Sequence, residues 1–300
     1  MNTMNYKNIL GILLVLTLSL FISGCGEDED SSTTSPFLGG TKGIVADFEE
    51  IGLVSDTSNM NEVYSGEDFA VEVTLKNKGE EEVEQGEALV KIQGIDTNQF
   101  GIPAESSNPD EIEPITEYVK DGGVSTVDFG DASYNVTGSF YDANIFAVYS
   151  YPYQTNVAVP NVCYKGDVRE DRVCNIDESK KVYSSGAPIV VTKAVESPAA
   201  TRKLRLMLTV ENVGGGRASL NREFDSRYDE IGFEVMTEGW TCKSKNESVA
   251  RLSEGSTQIR CTLDEELDEN DLYESQFDIR LNYYYEDIVK TTVRVLEESA

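Results

Sequence analysis

Histidine is absent from these 300 residues. That removes the commonest general base, the commonest metal ligand and the Ser-His and Cys-His pairs together. The groups left with chemical potential are 54 Asp and Glu, 15 Tyr and five Cys. Two carboxylates about 5–9 Å apart across a cleft can hydrolyse a glycosidic bond, yet with so many acids no pair is marked out by its spacing. Asp264, Asp268 and Asp271 lie in an acidic run that could present oxygens to calcium, a hard cation that favours carboxylates. The run lacks the spacing and central glycine of an EF-hand, and a solvated acidic turn is the competing reading. Tyr141, Tyr149, Tyr151 and Tyr153 could form a stacking platform for a sugar, since tyrosine has an apolar face and a polar edge. Aromatics on strands more often pack cores and cross-strand pairs, and the same choice applies to Tyr283-Tyr284-Tyr285. No cofactor is expected.

Four cysteines, Cys163, Cys174, Cys242 and Cys261, remain once Cys25 is set apart, and an even number in an exported chain reads as disulfides. Three connectivities exist. The two local ones, Cys163–Cys174 and Cys242–Cys261, are the expectation, each constraining the unfolded chain by about 3 kcal/mol. Zinc is the rival, but no CxxC is present and no histidine can complete a ligand set. Asn135-Val136-Thr137 and Asn246-Glu247-Ser248 match the N-glycosylation pattern, which has meaning only outside the cytosol. The net charge of −29 argues against nucleic acid, whose binding depends on clustered Lys and Arg neutralising phosphates. It suits a soluble surface in a salty medium, where screening weakens self-repulsion.

The elements that must position these groups read as strands. Phe69, Val71, Val73 and Leu75 alternate with Ala70, Glu72, Thr74 and Lys76, giving one buried and one wet face at period two. Leu204, Leu206, Leu208 and Val210 do the same. Both strands end in an Asn-x-Gly turn, at Asn77/Gly79 and Asn212/Gly214, and these lie 135 residues apart. Further strands are expected at 44–48, 88–92, 124–129, 157–163, 188–195, 231–236, 258–263, 273–281 and 283–296. Ile145 to Tyr149 has the content of a strand buried on both sides. Residues 95–123, rich in turn signals, read as an insertion with one short helical turn. Leu263 to Leu272 is the one stretch with a helical period. Two copies of one β-sandwich type is the economical reading.

At the N-terminus, Lys7 precedes an apolar run from Ile9 to Ile22, about 21 Å as a helix at ~1.5 Å per residue and short of a ~30 Å bilayer core. A secretory leader fits. Ile22-Ser23-Gly24-Cys25 resembles the lipobox of prokaryotic lipoproteins, which implies cleavage of residues 1–24 and lipid on the Cys25 sulfur. Rival readings are an uncleaved anchor or an ordinary leader with an incidental cysteine. Residues 25–43, small, hydroxylated and acidic, read as a disordered tether. The stretch Gly66-Glu67-Asp68-Phe69 to Asn77-Lys78-Gly79 resembles the opening of the cell-adhesion-related (CARDB) Ig-like domains of archaeal and bacterial surface proteins. Leu204 to Gly214 matches without the preceding Gly-acid turn, and Cys163 to Gly216 is similar to a block in archaeal surface proteins.

The resemblance implies an all-β chain with two Ig-like sandwiches, at 44–160 and 188–300, joined by a disulfide-containing connector at 161–187. It supplies no catalytic residues. The expectation is therefore a non-enzymatic scaffold or adhesion protein, anchored by lipid on the outer face of the cell membrane and meeting other surface proteins. A lipoprotein holding a sugar, peptide or ion for a transporter is the alternative, with a carboxylate-dependent hydrolase behind it.

Overall fold

The computed structural model describes residues 35–54, 60–167, 169, 172–224 and 227–297. The leader, Cys25 and residues 26–34 lie outside them. The first half runs β1 (Ile44–Phe48), β2 (Leu53–Val54), β3 (Asn61–Tyr64), β4 (Phe69–Asn77), β5 (Leu89–Gln93), the one-turn helix α1 (Thr97–Phe100), β6 (Glu105–Ser107), β7 (Val124–Ala132) and β8 (Phe140–Lys165). After β9 (Glu178–Lys180) and β10 (Tyr183–Ser184), the second half runs β11 (Ile189–Ala200), β12 (Lys203–Asn212), β13 (Arg217–Ser219), β14 (Asp229–Val235), β15 (Trp240–Lys243), β16 (Val249–Leu252), β17 (Ser256–Leu263) and β18 (Leu272–Leu296).

The protein is all-β, its sheets packed as sandwiches and antiparallel but for the parallel pairing of β3 with β18. Period two sets the registers. Phe69, Val71, Val73 and Leu75 of β4 are buried, as are Leu204, Leu206, Leu208 and Val210 of β12. Each such side chain contributes about 1.5–3 kcal/mol on burial, so a one-residue slip, which would turn four of them outward, is strongly opposed. Two small sheets, β1-β4-β7 and β15-β17-β12-β11-β9, face the halves of a ten-stranded sheet with the path β16-β14-β18-β8-β5-β6. One continuous apolar core runs between them.

Two strands span that large sheet. β8 and β18 pair antiparallel from Phe140 opposite Leu296 to Lys165 opposite Leu272, a ribbon about 80 Å long at ~3.3 Å per residue. Prolines inside β8 fall where the ladder tolerates a missing N–H. Pro152 sits where β5, whose last pair is Leu89–Ser150, has ended and β10, which begins opposite Val157, has not started. Pro160 lies at the bulge that shifts the register between Ser275 and Phe277.

The halves repeat in detail. Ile44 stands opposite Asn77 in the first and Ile189 opposite Asn212 in the second. Lys78 N–H donates to Gly43 O at 2.9 Å, and Val213 N–H to Pro188 O at 2.9 Å. The centre of the ribbon is Pro152 opposite Tyr284, with Tyr151 opposite Tyr285 on one side and Tyr153 opposite Tyr283 on the other. These pairings describe a pseudo-twofold relation between two copies of one unit.

Several expectations change in the structure. The sandwiches expected at 44–160 and 188–300 are not laid end to end: β8 runs on past residue 160 beneath the second, β18 returns beneath the first, and the chain from Ser35 onward is one compact unit. Segments expected as separate strands on either side of Pro152, and of Asn282, are continuous. Ile145, Ala147 and Tyr149 are buried, but Phe146 and Val148 are only half-buried, so that strand alternates. Order begins before Ile44, because the Glu80 carboxylate accepts N–H groups from Leu38 (3.0 Å), Gly39 (2.8 Å) and Gly186 (2.5 Å), pinning residues 38–43 to the body. Residues 95–123 do contain the single helical turn, capped by Asp96. They also pack inward through Phe100, Ile102 and Ile112. Leu263 to Leu272 is a turn between β17 and β18 and carries no helix.

Candidate functional site

The waist, where the small sheets meet over the middle of the ribbon, gathers the most polar chemistry. In the first copy the Asn77 carboxamide oxygen accepts from Gly79 N–H (3.0 Å) and Tyr153 O–H (3.2 Å), while its NH₂ donates to Glu81 O (2.6 Å) and Ile112 O (3.2 Å). In the second, the Asn212 oxygen accepts from Gly214 N–H (3.1 Å) and Tyr285 O–H (3.0 Å), and its NH₂ donates to Gly216 O (2.9 Å). Glu81 N–H donates to Tyr153 Oη at 3.3 Å and Gly216 N–H to Tyr285 Oη at 2.9 Å. Each Asn-x-Gly turn is thus fastened to a long strand by one tyrosine. Glycine is required for contact: a Cβ on Gly79 would overlap Tyr153 Oη and Gly186 O, and one on Gly214 would overlap Tyr285 Oη.

Tyr151 and Tyr283 complete a quartet. Tyr151 O–H donates to Ile44 O (3.3 Å), and Tyr283 Oη lies 2.9 Å from Thr155 Oγ1, which donates to Ile189 O (2.6 Å). The rings interlock, with centroids 5.5 Å apart for Tyr151–Tyr153 and 6.0 Å for Tyr151–Tyr285. Burial holds all four phenols, and Tyr149, above the usual tyrosine range, with Tyr285 pushed up to about 12.

That burial decides for core packing, the commoner role of strand aromatics, over the sugar platform at three of the four candidate tyrosines. Tyr149, Tyr151 and Tyr153 have 5, 1 and 2% of their surface exposed and offer no free face for stacking. Tyr141 is exposed and leans at a tilt against Tyr134 (centroids 5.0 Å apart), which is itself stacked on Phe100 (4.8 Å). The candidate calcium group of Asp264, Asp268 and Asp271 does not assemble. Asp271 Oδ2 accepts from Asp268 N–H (2.8 Å) within its own turn, Lys203 donates to Asp264 O (2.6 Å), and among the described residues no cluster of three or more acids or cysteines is disposed to hold a metal. Asn135 and Asn246 are both exposed. Cys163 is bonded to Cys174 and Cys242 to Cys261. The second pair stands directly opposite on β15 and β17.

On the outer side of the waist a groove of about 630 Å³ opens beside Tyr284, walled by Glu81, Glu84, Gln154 and Asn282 among others. Burial raises the Glu81 carboxyl above the usual range, against the pull of Arg280. The Arg222 guanidinium lies over the Tyr284 ring at 5.1 Å and donates to Glu87 O. Such a groove can hold a small polar ligand by hydrogen bonds to acceptors on its walls. In the sequence, residues 80–87 are Glu-rich, and nothing in them signals that they lie beside Tyr284.

A second polar cluster is fully interior. Glu196 on β11, 0% exposed, pairs with Lys180 on β9 at 3.1 Å, and Cys163 N–H donates to both of its oxygens at 3.1 Å. Period two from Ile189 and Val191 gave no sign of it, because the inward face of β11 changes partway along. After a bulge at residues 191–193 the inward positions of β11 are Ala194 and then Glu196, a charge on the core face.

No family model matches the chain, and no curated protein matches it. Among solved structures it is similar to a secreted serine protease VesC from Vibrio cholerae, at 10% identity and a TM-score of 0.21, over 82% of this chain and 51% of that one. The chain therefore spans about half the length of that protease. Another match is a structure described as manganese lipoxygenase of Gaeumannomyces graminis with partial zonadhesin of Komagataella pastoris, at 11% identity and a TM-score of 0.12, over 83% of this chain and 93% of that one. At these TM-scores neither likeness bears on fold or activity.

Proposed function

We propose that this is a lipid-anchored, non-enzymatic protein of the outer cell surface, acting as a rigid spacer or adhesion module among other surface proteins. The observation that carries the reading is the shared ribbon. Because β8 and β18 both run through both sandwiches, the body has no hinge at its waist, and a two-domain clamp closing on a ligand would need one. The two disulfides suit an oxidising compartment. The Ile22-Ser23-Gly24-Cys25 sequence would supply the anchor, and the resemblance of the strand blocks to CARDB-type Ig-like domains accords with a surface role.

The test is expression of the full chain in a prokaryotic host, followed by fractionation. Wild type should be processed, lipid-modified and membrane-associated, and Cys25→Ser should remain full length and lose the lipid mass. Identical mass and fractionation for both would sink the reading. A ligand-binding lipoprotein serving a transporter is the second reading, favoured by the groove beside Tyr284. It predicts that a sugar or peptide found by screening loses affinity on Tyr284→Ala.

A further inference from the structure

Lys180 ends a three-residue edge strand, yet its side chain is only 4% exposed. Its ammonium touches Glu178 Oε1 at 2.7 Å, Glu196 Oε2 at 3.1 Å and Asn175 O at 2.8 Å. Glu178 and Glu196 stand directly opposite on β9 and β11, and Lys180 is two residues on, so one face of this strand pair brings the amine between two carboxylates. The carboxylates differ in setting. Glu178 is 43% exposed and Glu196 is wholly enclosed, under the Cys163 backbone and beside the Cys163–Cys174 bridge.

We propose that Lys180 and Glu196 condense into an intramolecular amide, with Glu178 as the proton shuttle. The parts needed for acyl transfer are present: a nucleophile, an acyl carbon, a base within reach, and an N–H shared by both acyl oxygens and so available to the one on which charge develops. Burial pushes the Glu196 carboxyl up to about 7, opposed by the Cys163 N–H and by Lys180. Attack requires the neutral amine and the neutral acid, so one proton must first pass within the pair from the ammonium to the Glu196 carboxylate, which it contacts at 3.1 Å. The nitrogen lone pair attacks the Glu196 carbonyl carbon, and the displaced π electrons go to the carbonyl oxygen, which like its neighbour lies 3.1 Å from Cys163 N. Glu178 takes the proton from nitrogen and returns it to the departing hydroxyl. The C–N bond forms, the C–O bond breaks and one water leaves on the exposed Glu178 side, with no redox change. The product replaces a buried ion pair, whose desolvation is costly, by a neutral amide. It ties β9 to the sheet next to the disulfide that ties down the preceding loop. Lys165 donates to Cys174 O, and Tyr164 accepts from Trp240 Nε1.

Peptide mapping of the purified full chain, denatured and reduced, tests this. The expected product is a branched peptide joining the Lys180 and Glu196 segments, one water lighter than its two parts, with Lys180 refractory to an amine-acylating reagent. Glu196→Gln should give the same branch by losing ammonia instead of water, and Glu178→Ala should leave the two segments separate. Far-UV circular dichroism and an intact Cys163–Cys174 bridge show that each variant has folded. Linear peptides of full mass from wild type, with Lys180 acylated by the reagent, would overturn the proposal. A branched peptide in folded Glu178→Ala would overturn the role given to Glu178.

Discussion

Asn77 and Asn212 do the same work with different stakes. Asn77 is wholly buried and its carboxamide satisfies four partners, whereas Asn212 is half-buried and satisfies three. Deleting a buried side chain strands its partners, and each stranded donor or acceptor costs about 1–3 kcal/mol unless water reaches it. Asn77→Ala should therefore destabilise by about 3 kcal/mol and Asn212→Ala by about 1–2 kcal/mol. Urea unfolding measures both. Equal losses would remove the idea that enclosure sets the difference between the copies. A cycle with Tyr153→Phe isolates the Tyr153–Asn77 bond, whose coupling should be about 1 kcal/mol.

The long strands carry the waist tyrosines, and their burial gives a pH signature. A tyrosine ionises near ~10 in the unfolded chain, while desolvation raises Tyr149, Tyr151, Tyr153, Tyr283 and Tyr285 in the folded one. Their raised values mean that the folded state holds its protons longer. The stabilisation is complete below about 10 and is lost as pH rises toward and beyond the folded values. A jump to alkaline pH, followed by tyrosinate absorbance, should show exposed tyrosines ionising at once and these five only as circular dichroism reports unfolding. Immediate ionisation of all 15 tyrosines would contradict the interior placement. At this same scale one sees what the sequence could tell. The alternation in β4 and β12 and their matching Asn-x-Gly ends were readable, because period two and turn chemistry are local. The fusion of neighbouring segments into β8 and β18 was not, since Pro152 and Pro160 look like breaks until their partner strands are placed. The facing of Tyr149, Tyr151 and Tyr153 was hidden likewise. Alternation gives them one common side, but only the sheet laid over that side, through β1, decides that it is interior.

For the whole molecule, the ribbon makes each sandwich depend on a strand supplied by the other half of the chain. Residues 140–150 are covered by β18 residues 286–296, and 153–165 by 272–283. A chain divided between β10 and β11 would strip β8 and β18 of each other along their whole length, leaving each held only on its other edge, β8 by β5 and β10 and β18 by β13 and β14. A strand edge bared over that length presents a row of free N–H and C=O groups. Fragments 26–187 and 188–300, made separately in an oxidising host, should each lack cooperative unfolding and should regain it when mixed, with the tyrosine near-UV signal of the intact protein. The intact chain should unfold in one calorimetric transition with matching calorimetric and van't Hoff enthalpies. Two beads on a string would behave otherwise, each fragment melting sharply alone and the intact protein melting in two steps. That pattern would refute the shared ribbon and, with it, the rigidity on which the spacer reading rests.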